Sequence, residues 1–107
     1  MTKALILFMF MTVSSMVAAE FPVYELSIKE HQFDAPLVEI PAGTKVMLRV
    51  KNLDATPEEF ESYELSREKV IPGNSETIIY IGPLDPGTYG FFGDFHQDTA
   101  QGKLIAK

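Results

Sequence analysis

Two histidines, His31 and His96, and the acidic run Glu58-Glu59-Phe60-Glu61 are the residues of this chain best suited to hold a metal ion. Imidazole nitrogen with carboxylate oxygen suits Cu(II), Fe(II), Fe(III) or Zn(II), whereas Cu(I) prefers sulfur. These ligands bind deprotonated, so affinity should fall as pH drops through an ordinary histidine pKa of about 6.5. The chain has no cysteine. That excludes thiolate metal sites, thiol redox chemistry and a cysteine nucleophile, and it leaves the fold without disulfides. An activated-serine motif and a nucleotide-binding fingerprint are also lacking, so an enzyme acting alone is not expected.

Each of these residues also has a plainer reading. A lone surface histidine is most often simply solvated. In a strand, Phe60 would face the core while Glu59 and Glu61 form a charged outer face, and only a bulge would turn them toward a shared site. Three carboxylates buried together would repel one another, so they are either solvated or hold a cation.

The elements that must position these residues read as short strands. Tyr24, Leu26 and Ile28 alternate with Glu25, Ser27 and Lys29, and Val46, Leu48 and Val50 alternate with charged neighbours. That is the period of two of a half-buried strand. Val38–Pro41, Phe60–Leu65, Lys69–Ile71, Thr77–Ile81, Thr88–Gly93 and Lys103–Ala106 supply further strands, with breaks at 52–57, 72–74 and 82–87. Many short strands punctuated by Gly and Pro predict an all-β Greek-key sandwich, with Tyr24, Leu26, Ile28, Val46, Leu48, Val50, Phe60, Ile79, Ile81, Tyr89 and Phe91 buried. Arg67 and Glu68 read as a surface ion pair.

The first residues read as an address. A basic start, Met1-Thr2-Lys3, precedes the apolar run Ala4 to Val13 and the small residues Ser14 to Ala19. This predicts a secretory signal peptide over residues 1–19, cleaved after Ala19, with the run too short to serve as a membrane anchor. Residues 20–107 then form one domain, exported to the periplasm and not embedded in a membrane. The formal net charge of −6 suits cations and disfavours nucleic acid and anionic lipid.

The motifs in order resemble the cupredoxin family. "FDAPLVEIPAGTKVMLRVKNLDATPEEF" is similar to the first half of those proteins, and "GTYGFFGDFHQDTAQGKLIA" to the second. The departures matter. Gly93 stands where the copper-binding cysteine would be, Glu58 replaces the upstream histidine after Pro57, and Asp98-Thr99-Ala100 carries no axial methionine. The resemblance therefore implies the fold without a blue-copper centre. It also implies that His31, Glu58 and His96 arrive at one end of the sandwich, with Glu59 or Glu61 joining them if a bulge re-aims the strand. Gly93 should leave space there, making the site shallow and open, and Asp94 should orient His96.

"NLDATPEEFES", "REKVIP" and "GPLDPGTYGFFGDFH" further resemble the EfeO-type cupredoxin-like domains that accompany bacterial iron permeases. The expectation is a periplasmic protein that binds copper or iron through His31, Glu58, Glu59, Glu61 and His96. It would bind, oxidise or deliver iron for a membrane permease and its periplasmic partners. The alternative is a metal-free module that docks through the aromatic loop containing Phe92 and Phe95.

Overall fold

In the computed structural model, which describes residues 21–107, nine strands form two sheets. The predicted signal peptide lies outside the described residues. The strands are β1 (Val23–Lys29), β2 (Gln32–Asp34), β3 (Leu37–Ile40), β4 (Val46–Asn52), β5 (Glu58–Ser62), β6 (Arg67–Ile71), β7 (Ser75–Ile81), β8 (Gly87–Gly93) and β9 (Gln101–Ala106). One sheet runs β2-β1-β4-β7 and the other β3-β9-β8-β5-β6. Among the described residues the only helical element is a single 3-10 turn, Asp94–His96. The fold is the all-β sandwich that the alternation predicts.

Alternation decides which side chains fill the space between the sheets. Along β4, Val46, Leu48 and Val50 are buried and their neighbours half-exposed, and β1 contributes Leu26 and Ile28 to the same layer. The facing sheet supplies Phe60, Phe91, Leu104 and Ala106. Phe33, Phe60 and Phe91 meet at the centre with ring centroids 5.0 to 6.3 Å apart, a spacing at which aromatic pairs add to simple area burial. Gly102 makes this possible, because a Cβ there would lie 2.3 Å from the Phe91 ring. Tyr24 and Tyr89 are partly rather than fully buried. The Tyr89 hydroxyl reaches out to donate to the Asp85 carbonyl, as a phenol at a core margin must find a partner.

Two local expectations change. The strand expected over Phe60–Leu65 begins at Glu58 and stops at Ser62, whose hydroxyl donates to the Gly90 carbonyl and accepts the Leu65 N–H, turning the chain. Arg67 does not pair with Glu68. Its guanidinium donates instead to the carbonyls of Tyr80, Leu65 and Ser66, which bridges the β6 and β7 edges of the two sheets.

The topology sets the end at which function can reside. β1 and β4 run parallel, so the chain leaves both at the same end of the sandwich, through the β1–β2 turn and the 53–57 loop. At that end, buried Asn52 donates to the carbonyls of Thr56, Ile71 and Pro72 and accepts the Asp54 N–H. One amide thereby ties the loop that leads into Glu58, at Asp54 and Thr56, to the end of β6 at Ile71 and Pro72.

Candidate metal centre

His96 closes the 3-10 turn that follows β8, in a loop held at its neck by two bonds: the Ala100 N–H to the His96 carbonyl (2.8 Å) and the Gly93 N–H to the Ala100 carbonyl (2.9 Å). Its side chain is 28% exposed. Its Nδ1 donates to Glu58 Oε2 at 2.5 Å. Glu58 starts β5 and points inward at 1% exposure, the only charged residue among the described ones that is this deeply buried. Such a carboxylate is tolerable only if its oxygens are bonded. They are: Oε1 accepts the N–H groups of Phe95 (2.9 Å) and Glu59 (3.0 Å).

Gly93 does not leave an empty space. A Cβ at that position would lie 2.6 Å from Ala100 Cβ and 2.7 Å from Glu58 Cδ. The Glu58 carboxyl group fills the volume into which a side chain at position 93 would project, so the chain cannot hold both. A thiolate centre is excluded twice, by residue type and by volume.

His31 lies in the two-residue turn between β1 and β2, and its ring stacks on that of His96, with centroids 3.5 Å apart and planes inclined by 9°. Its Nε2 lies 3.4 Å from Thr56 Oγ1. The two histidines and the 94–99 loop line an open depression of ≈ 550 Å³. The structure thus brings His31, Glu58 and His96 together.

Glu59 and Glu61 go elsewhere. β5 pairs with β6 without interruption from Glu58↔Ile71 to Ser62↔Arg67, so the bulge needed to re-aim them is not there. Both lie half-buried on the outer face of the strand, where ligand oxygens of Glu59, Glu61 and Asp94 come within 4.8 Å of one another. Asp94 belongs to this group and not to His96; its Oδ1 accepts a bond from Gln97. Partial desolvation, then hydrogen bonding to Glu61 and Glu68, then the charges of Glu68 and Asp94 push the Glu59 carboxyl up to about 7. A retained proton relieves the repulsion for which the sequence suggests either solvation or a cation.

That shift has a sign. With its ordinary value at 4.5 and its native value near 7, Glu59 keeps a proton in the folded chain that the unfolded chain releases. Stability should therefore decline as pH rises through this window. Glu59→Gln, which mimics the protonated form, is expected to raise Tm of chelator-treated protein above about pH 7 and leave it nearly unchanged below about pH 4.5. An equal shift at both extremes would show that titration is not the cause.

Sequence reasoning missed Asp54 and Thr99. The Asp54 carboxylate accepts the N–H groups of Glu30 and His31, and Thr99 Oγ1 donates to the His31 carbonyl. A signal was present: "KEHQ" forms a two-residue hairpin turn without the Asn or Gly that such turns favour, which implies support from outside the hairpin.

A family model described as "Cupredoxin-like domain" matches residues 2–106. An uncharacterized protein of Rickettsia prowazekii (strain Madrid E) is 49% identical over 81 residues, which covers 76% of this chain and 65% of that relative's length. Among solved structures, auracyanin A, a "blue" copper protein of Chloroflexus aurantiacus, superposes with a TM-score of 0.68 at 18% identity, covering 79% of this chain and 98% of its own. Amicyanin from Paracoccus versutus gives 0.62 at 20% identity, with 85% of each chain covered. The metal-binding domain of a Cu(I)-exporting P-type ATPase of Streptococcus pneumoniae D39 gives 0.68 at 11%, covering 79% of this chain and 84% of its own. At these identities the likeness is one of fold.

Proposed function

This chain belongs to the cupredoxin-like domain family, and from that membership we propose that it binds a copper or iron ion where His31 and His96 meet. The observation that carries the reading is the Glu58–His96 pair. A buried carboxylate that fixes Nδ1 of a partly exposed histidine sets the tautomer and leaves Nε2 as the free lone pair. Glu58 is thus assigned to orienting His96, its two oxygens being already bonded to three donors. His31 supplies the second imidazole. Because the rings are parallel and imidazole lone pairs lie in the ring plane, the His31 ring must rotate before one nitrogen of each can sit about 2.0–2.1 Å from a common ion. Glu59 and Glu61 face away from this point and are left out of its ligand set.

The donor set is nitrogen with oxygen nearby and no sulfur, which favours Cu(II), Fe(II) or Fe(III) over Cu(I). Such an ion, when bound, supplies Lewis acidity or a one-electron couple. We place the protein in the periplasm, beside an iron permease and its associated iron-uptake proteins, binding, oxidising or delivering iron. The motif resemblance to EfeO-type domains supports that context. No helix among the described residues is long and apolar enough to cross a membrane.

Calorimetric titration of chelator-treated protein tests the reading. One Cu(II) per chain is expected, with no intense thiolate-to-copper absorption in the visible spectrum. Failure to bind Cu(II), Fe(II) and Fe(III) alike would remove the metal reading and leave the metal-free docking module.

A further inference from the structure

The β1–β2 turn is built against the preferences of its residues. Glu30 and His31 both adopt left-handed backbone angles, with φ of 51° and 57°. A two-residue hairpin turn of this kind favours Asn-Gly or Asp-Gly, because Cβ atoms crowd the backbone in that region. Glu30 does nothing to ease the turn, and His31, though commoner than most residues at positive φ, still carries the Cβ that glycine lacks. Something outside the hairpin must hold it.

The structure shows what does. The two carboxylate oxygens of Asp54 accept the consecutive N–H groups of Glu30 (2.8 Å) and His31 (3.0 Å), pinning both residues at once. Asp54 is itself fixed: its N–H donates to the buried Asn52 side chain and its carbonyl accepts the Asn74 N–H. On the other side, Thr99 Oγ1 donates to the His31 carbonyl at 2.5 Å, from the loop that carries His96. The backbone of His31 is gripped at its N–H by the 53–57 loop and at its carbonyl by the 94–99 loop.

We propose that Asp54, assisted by Thr99, is the positioning residue of this site, holding the turn in the left-handed form that lays the His31 ring over His96. A carboxylate suits the task because it accepts two bonds from adjacent N–H groups, and its charge strengthens both. The strain is kept because the position needs an imidazole; glycine would relax the turn and supply no ring. The consequence for ion binding rests on the metal reading of His31 and His96, whereas the ring geometry does not.

The test therefore has two readouts on the full chain. In chelator-treated protein, NMR should find the ring protons of both histidines shifted upfield by mutual stacking. Asp54→Asn can accept only one of the two bonds, and it should lose most of that shift while keeping a dispersed, folded spectrum. Glu30→Gly added to Asp54→Asn should restore part of it by relieving the turn. Cu(II) affinity should fall about 10–100-fold in Asp54→Asn, as for partners that orient ligands, and fall no further when Asp54→Asn is added to His31→Ala. Thr99→Val, an exposed change that leaves the core untouched, carries the same test should Asp54→Asn fail to fold. Unchanged ring shifts in these variants would overturn the proposal, as would an equal Cu(II) loss from Asp54→Asn in the presence and absence of His31. If the wild type binds no Cu(II) but Asp54→Asn still abolishes the stacking shift, positioning stands and the metal reading falls.

Discussion

Glu58→Ala is expected to be the most destabilising single change at this end of the molecule. It removes the acceptor of three bonds at a site 1% exposed, stranding the N–H groups of Phe95 and Glu59 and freeing His96 from its partner. It also opens the volume against which Gly93 and Ala100 pack. Leaving those two N–H groups without an acceptor costs about 1–3 kcal/mol each, about 2–6 kcal/mol together. For a domain of this size that is a fall in Tm of at least about 8 °C. Glu58→Gln separates stability from function. Its amide oxygen can still accept the backbone N–H groups, so the stability loss should be nearer the roughly 1 kcal/mol of one altered hydrogen bond. Its NH₂, however, would donate to His96 Nδ1 and move the ring proton to Nε2, the nitrogen an ion needs. Thermal unfolding and Cu(II) titration of both variants check this. A Glu58→Ala protein as stable as wild type would show that the buried carboxylate contributes little.

The largest effect on binding is expected from His96→Ala. Loss of a partner that only orients a ligand costs about 10–100-fold in metal affinity, so loss of the oriented ligand itself should exceed about 100-fold. The fold should survive, since the side chain is 28% exposed and contributes little to the core. Some stability will still go, about 1–3 kcal/mol, because Glu58 Oε2 is left without its donor. Changing Glu59 and Glu61 to glutamine should leave Cu(II) affinity nearly unchanged. The reverse pattern, with binding kept in His96→Ala and lost in the double glutamine variant, would move the ion to the carboxylates beside Asp94.

What this sequence determined by itself was the fold and the exclusion of thiolate chemistry. The alternation of Tyr24–Lys29 and Val46–Lys51, with Gly and Pro between short runs, is a local property and is sufficient for a sandwich. The absence of cysteine rules out a thiolate centre without any coordinates. Alternation also predicted that Glu59 and Glu61 would share a face opposite Phe60. It could not say what lies beside that face, and so could not add a raised Glu59 carboxyl to the choice between solvation and a cation.

Tertiary structure decided the rest through contacts distant in sequence. Glu58 and His96 are 38 residues apart and His31 and Thr99 are 68 apart, beyond the reach of any local pattern. The period of two turns Glu58 inward, but only the opposing glycine at position 93 gives its carboxyl group a place to go. Without that space a buried charge would be untenable; with it, the carboxylate becomes the fixed point from which His96 is aimed. The His31 ring likewise owes its place to Asp54 in a loop on another strand, because the conformation of the turn is one that its own residues disfavour. The sandwich follows from side-chain periodicity, and the site from how two loops and a turn close over one another at its end.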